Sequence, residues 1–251
     1  DTVRYSRDGV TYSKPYPVAG LFAKLLEERY EGDIYFAYTF SVRDRPGRLC
    51  LRVEPIPGAE YTFNDRPLTM TGSPEDPDVW CADVTALVRE GDNTLVVRAD
   101  WFQDGRVYYA LFGENVTESL KNCLVYDREL EPIYCVGDFG VYTDGGFRDA
   151  GDGFVTAQDF YIAAPPRRIT EPVTDGLPFF SGILTVRKTL HLTEPDVFLR
   201  IPGRKMVVRV RLNGHEVGTV LFGETIDVGA YAVTGDNELE LIFTFSNRNT
   251  Y

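Results

Sequence analysis

The sequence predicts an all-β protein of two tandem β-sandwich modules, and three observations lead there. Aromatics make up 13% of the 251 residues, with 15 Tyr and 16 Phe against 2 Met, a bias that suits pleated strands better than helix turns. Short alternating apolar runs are separated by Gly, Asn, Asp and Pro turns throughout, and no strand–helix–strand alternation of a parallel sheet is present. The third observation is a repeat: "EGDNTLVVRA" at Glu90 to Ala99 is written again as "TGDNELELIF" at Thr234 to Phe243.

The repeat extends well beyond those turns. "YTFSV" (Tyr38 to Val42) matches "KTLHL" (Lys188 to Leu192), and "RLCLRV" matches "DVFLRI", so Leu49, Leu51 and Val53 correspond to Val197, Leu199 and Ile201 on one strand face. "EYTFND" and "RVRLNG" follow, with Asn64 and Asn213 at the same turn. Asp83-Val84 and Asp227-Val228 each stand eight residues before the Gly of Gly-Asp-Asn. The offset between copies falls from 150 residues (Val42 to Leu192) to 144 (Asn93 to Asn237), which places an insertion in the first copy at "TMTGSPEDPD", a polar, Pro-containing and exposed loop by composition.

Two amphipathic stretches are expected to be short helices against a sandwich end. "GLFAKLLEERY", near residues 20–30, puts Leu21, Phe22, Leu25 and Leu26 on one face; "ENVTESLKNCL", near 115–125, does so with Val116, Leu120 and Leu124, Asn115 and Glu118 being spaced as a capping box. The first module is expected over 1–130 and the second over 131–251, the segment 131–177 being an extended leader into the second.

Charge and composition exclude some partners. A net charge of -12 with no clustered Lys and Arg argues against nucleic acid and against an anionic membrane surface, and no apolar run is long enough to span a bilayer. Cys50, Cys81, Cys123 and Cys135 form no CxxC pair and read as packed free thiols, ahead of disulfides or metal ligands; with no secretion signal in the sequence, the expectation is a cytoplasmic location.

The second copy carries a resemblance. "PFFSGILTVRKTLHL", "VRVRLNGHEVGTV" and "TIDVGAYAVTGDNELELIFTFSNRN" resemble the galactose-binding-like jelly-roll modules of large bacterial glycoside hydrolases of the β-galactosidase, β-glucuronidase and α-L-rhamnosidase groups. "EPIYCVGDFGV" is similar to the connector that precedes that module in the rhamnosidase-like group, and the matched segments cover about two-thirds of the chain. The resemblance implies carbohydrate as ligand and, as partner, a catalytic barrel domain of the parent polypeptide bearing two carboxylates. No barrel pattern occurs here, and the absence of a starting Met together with the stop at "NRNTY" gives the expectation of a non-catalytic piece of a longer chain, with no cofactor.

Candidate sites follow from chemistry. A sugar stacks its C–H face on a flat ring and gives its hydroxyls to polar neighbours, so Trp101, Gln103, Asp104, Arg106 and Tyr108, in one hairpin-like unit "ADWFQDGRVYYALF", are candidate carbohydrate contacts; a core role for Trp101 competes with that reading. Asp144, Asp149 and Asp152, in a glycine-rich segment, are calcium candidates through oxygen ligands, against a plain solvated loop. Asp138 in "GDFGV" is a candidate structural anchor. His191 and His215 stand in a strand and a turn and suggest no catalytic triad. Two other functional classes stay open beside a hydrolase-associated region: a stand-alone carbohydrate-binding or lectin-like module, and an interaction scaffold without ligand.

Overall fold

The structure is a computed structural model describing residues 2–151, 153–195, 197–202, 207–221 and 223–246. It is all-β with short helices and divides into two compact units. The first runs to Ile169 and includes Thr174–Gly176; the second takes Thr170–Val173 and continues from Leu177.

The first unit opens with β1 (Thr2–Ser6), β2 (Tyr16–Pro17) and α1 (Val18–Glu27), followed by the long β3 (Gly32–Val42). β4 (Leu49–Val53), β5 (Glu60–Phe63), β6 (Arg66–Leu68), β7 (Thr71–Gly72), β8 (Trp80–Asp83) and the long β9 (Gly91–Trp101) complete the first copy of the repeat. Then come α2 (Gly105–Phe112), α3 (Glu118–Asn122), β10 (Tyr134–Gly137), β11 (Gly140–Thr143), the small hairpin β12 (Arg148–Asp149) and β13 (Phe154–Val155), and β14 (Phe160–Ala163). One sheet has the order β11-β14-β3-β9-β5-β6, with β1 also on β3 and β2 on β1; the facing sheet is β10-β4-β8-β7. All these pairings are antiparallel except β14 with β3.

Alternation sets the core. Ile34, Phe36 and Val42 of β3, Leu49, Leu51 and Val53 of β4, and Leu95, Val97, Ala99 and Trp101 of β9 point inward and are buried, closed at one end by Leu21 and Leu25 of α1. Each such Val, Leu, Ile or Phe contributes roughly 1.5 to 3 kcal/mol of burial.

The second unit repeats the plan with fewer strands. β15 (Gly182–Leu192), β16 (Phe198–Arg200), β17 (Val207–Leu212), β18 (His215–Val220), β19 (Thr225–Asp227) and β20 (Gly235–Phe245) form a sheet β15-β20-β17-β18 and a two-stranded partner, β16 with β19. Register is kept across the copies: Val42 faces Gly91 as Leu192 faces Gly235, Phe63 faces Leu95 as Leu212 faces Leu239, and Cys50 faces Asp83 as Phe198 faces Asp227.

The repeated asparagines explain why the turns are written twice. Asn93, fully buried, gives its amide hydrogens to the Arg89 carbonyl (2.7 Å) and the Gly91 carbonyl (3.0 Å), while its oxygen accepts from Arg89 N–H (2.9 Å) and Asn64 Nδ2 (2.8 Å). Asn237, also fully buried, makes the same four bonds to Val233 O (2.7 Å), Gly235 O (2.9 Å), Val233 N–H (2.9 Å) and Asn213 Nδ2 (2.9 Å). Asn64 and Asn213 stand at φ 48° and 52°, left-handed turn positions that asparagine tolerates, and each oxygen accepts from the strand residue after the buried Asn, Thr94 N–H (3.0 Å) and Glu238 N–H (2.9 Å). One amide pair thus ties the β5–β6 or β17–β18 turn to the start of the long strand.

Four expectations are corrected. The segment 131–177 does not lead into the second unit: β10 pairs with β4 and β14 with β3, so the division falls near 170 rather than near Leu130. Alternation identifies a strand but not its partner, and here Leu130 and Cys135 complete the first core. "GRVYYALF" is a helix and no part of a hairpin: Asp104 caps it by accepting from Arg106 N–H (2.8 Å), and Val107, Tyr108 and Ala110 face inward at helical spacing. The later helix is capped by Thr117, whose hydroxyl accepts from Leu120 N–H (3.3 Å), because Asn115 is left-handed at φ 59°. The insertion, expected to be exposed, buries Met70 and Ser73.

Candidate ligand cleft

The predicted carbohydrate residues are brought together, but for packing. Trp101 ends β9 on the inward phase and is fully buried, its ring edge-on to Phe22 (6.1 Å) and Phe36 (5.4 Å), so no sugar reaches its face. Gln103 is buried too: Nε2 donates to the Arg128 carbonyl and Oε1 accepts from Asp127 N–H (2.9 Å). Asp104 caps α2 and is paired with Arg106 (3.0 Å), and Tyr108 is buried with the Arg29 guanidinium 5.1 Å from its ring. This cluster locks the end of β9 to α2 and to residues 127–128.

The described calcium candidates, Asp144 and Asp149, are likewise occupied. Arg43 grips Asp144 with two bonds of 2.7 and 2.6 Å and lies 3.5 Å over the Tyr161 ring, which holds the Asp144 carboxyl below the usual range. Asp149 accepts from Gly151 N–H (2.7 Å) in its hairpin turn, and Asp152 lies outside the described residues. Among the described residues no group of three His, Cys, Asp or Glu is arranged to hold a metal ion. Asp138 donates its main-chain N–H to Arg48 O (3.0 Å), continuing the β10–β4 ladder, and its side chain is exposed.

A different, open cleft lies in the first unit. It measures about 310 Å3 and is lined by Glu54, Pro55, Pro77, Asp78, Glu129 and Glu131. Three segments converge there. Glu54 and Pro55 follow β4, where the chain turns through an Ala59 N–H to Ile56 O bond (3.0 Å). Pro77 and Asp78 come from the insertion, folded on itself by Ser73 N–H to Val79 O (2.8 Å) and held toward β4 by the Arg52–Glu75 ion pair (2.8 Å). Glu129 and Glu131 flank the buried Leu130 in an extended run whose Glu131 carbonyl accepts from the Tyr38 hydroxyl (3.0 Å).

The electrostatics are one-signed. Burial, and then the neighbouring Glu54, raise the Glu129 carboxyl above its ordinary value; burial, Glu54 and Glu129 do the same for Glu131. Among the described residues no Lys, Arg or His pairs with Glu54, Glu129 or Glu131. Beneath the cleft a cavity of about 10 Å3, the size of one water, is bordered by Tyr38, Tyr61, Glu54 and Glu131, and burial raises both phenols. Such a cleft offers carboxylate acceptors to a ligand's hydroxyl groups and proline rings to its C–H faces, and it repels anions.

None of the cleft residues was a sequence candidate. The available signals were the insertion, since loops added to a repeat carry function more often than its strands do, and the Glu-Leu-Glu alternation at 129–131.

Fold and cleft define a class: an all-β protein of two repeated sandwich units, one of which carries an acidic, cation-free cleft among its described residues. Solved structures similar to the chain include a β-D-mannosidase from Dictyoglomus thermophilum (13% identity over 98% of this chain and 31% of that one, TM-score 0.36). They also include a Ruminococcus gnavus β-glucuronidase (14% identity, 98% of this chain, 38% of that one, TM-score 0.36) and a Streptomyces avermitilis α-L-rhamnosidase (15%, 85%, 22% and 0.31). The chain therefore spans about a third or less of the first of these proteins, and nothing about ligand or activity follows from likenesses at this level. No protein-family model and no curated protein sequence matches it. No helix among the described residues is long and apolar enough to cross a membrane.

Proposed function

We propose that this chain is a non-catalytic, carbohydrate-contacting β-sandwich region that works beside a carbohydrate-cleaving barrel domain of the same polypeptide, with the cleft at Glu54, Glu129 and Glu131 as its contact site. The observation that carries the reading is that cleft: open, about 310 Å3, and lined by hydroxyl-accepting carboxylates and two prolines with no bound cation partner among the described side chains. Its charge selects neutral saccharides over uronic acids, because an added carboxylate meets three glutamates in a chain of net charge -12. Few buried contacts and no stacking ring set the expected affinity at about 1 mM, roughly -4 kcal/mol.

Titration of the isotope-labelled chain with neutral mono- and oligosaccharides and with their uronic-acid counterparts tests this. Shifts confined to residues 54–55, 77–78 and 129–131 with neutral sugars, weakened several-fold in Glu129→Gln with Glu131→Gln, support it. Silence with every neutral sugar removes it. So does turnover of aryl glycosides that survives repurification and is lost in Glu129→Gln, since a carboxyl with a raised pKa is also what a general acid requires.

A further inference from the structure

The two units differ along one strand edge. In the first, β4 lies between β8 and β10, with Tyr134 facing Arg52 and Gly137 facing Leu49. In the second, β16 stands where β4 does and β19 where β8 does. Val228 N–H donates to Val197 O (3.2 Å) and Ile201 N–H to Glu224 O (2.6 Å), so residues 197 and 201 spend their main-chain groups on the β19 side. Alternation along the strand turns the N–H and C=O of Phe198 and Arg200 to the opposite side, where no strand lies among the described residues.

The side chains agree with the main chain. Leu49, Leu51 and Val53 are buried in the first core, which β10, beside β4 in the same sheet, extends with Cys135, Ile133 and Phe139. Their counterparts Val197, Leu199 and Ile201 are only partly buried, and Phe198 is 69% exposed. An unpaired edge above a half-covered apolar row is a template for an added strand, and the first unit shows which kind fits. A Cβ at Gly137 would come within 2.0 Å of Arg48 O, so the strand that lies on β4 needs glycine opposite Leu49.

We propose that the second unit accepts an extended partner segment of β10's kind, antiparallel to β16, with an apolar residue facing Leu199 and glycine facing Val197. β16 itself, Phe198-Leu199-Arg200, carries no glycine, which disfavours a second copy pairing edge to edge.

The probe is a synthetic peptide of residues 131–141 with Cys135→Ala, which keeps an apolar residue opposite Leu199, added to the isotope-labelled chain. Amide exchange at Phe198 and Arg200 is expected to slow at least tenfold, and a peptide carrying Gly137→Val is expected to have no effect. In the chain, Arg200→Pro removes an N–H on the open side and leaves the main-chain bonds to β19 in place, at the loss of the Arg200–Glu224 ion pair, and should abolish the protection at Phe198; if that variant fails to fold, the Gly137→Val peptide decides alone. Three results overturn the proposal: no slowing at millimolar peptide, protection of β4 in place of β16, or Phe198 and Arg200 already protected in the free chain by a dimer seen in sedimentation.

Discussion

The two copies share a latch and differ in what covers their cores. Around Asn93 and Asn237 the hydrogen bonds agree to within about 0.1 Å, yet the first copy packs its long strands beneath α1 and β10, while in the second Leu184, Val186, Leu241 and Phe243 on the long strands are only partly buried. Local polar geometry is therefore set within the repeat, and burial by what each copy receives from the chain around it. That separation can be broken by mutation.

The largest contrast is expected at the end of the long strands, where Trp101 faces Gly32 and Phe245 faces Gly182. Trp101 is fully enclosed, whereas Phe245 keeps one edge contact with Phe180 at 5.6 Å and is partly exposed. Trp101→Ala should cost about 4 kcal/mol and Phe245→Ala about 1 kcal/mol, read by denaturant unfolding with a probe in each unit. Equal losses would mean that cover does not distinguish the copies.

The latch makes the opposite prediction. Asn93→Ala and Asn237→Ala each leave two carbonyls and one N–H of the turn without a partner, so each should cost about 3 kcal/mol in its own unit, the same within error. Gly91 and Gly235 stand at φ 88° and 102°, and Gly→Ala at either should cost about 1 kcal/mol through backbone strain alone.

These symmetric features were the legible ones. Gly-Asp-Asn, the Asn of the preceding turn and the alternating runs are local, and both period and turn chemistry read directly from sequence. The partner of β10 was not legible, because "IYCV" suits either sheet of either unit. Nor was α2 recognised from "RVYYALF", whose aromatics favour strands until Asp104 supplies a cap. The cleft was hidden for a third reason: Glu54, Pro77 and Glu131 are far apart in sequence and form no motif until the insertion and the run after α3 close on β4. For Trp101 the sequence left a core role and a ligand platform both open, because residue type alone does not reveal which face of a strand a ring occupies; the structure places it in the core.

The smallest effect separates the copies by sign. Glu129 and Glu131 have folded pKa values raised above the ordinary 4.5, so the folded first unit binds more protons than the unfolded chain across that window, and their contribution is full below about pH 4.5 and is lost as pH rises through the raised values. Glu240 in the second unit is depressed by its bond to Arg187 and then by Arg211, so its contribution is present above 4.5 and is lost as pH falls through its lowered value. Glu129→Gln with Glu131→Gln should therefore gain on the parent chain as pH rises above 4.5, whereas Glu240→Gln should fall behind it as pH rises from the lowered Glu240 value toward 4.5 and keep a constant deficit above that. The first difference should be under about 1 kcal/mol, since the cleft carboxyls are largely solvated. Denaturant midpoints at pH 3.5, 5 and 7 check this, and parallel curves for the two variants would mean that the cleft glutamates repel one another no more than ordinary surface acids do.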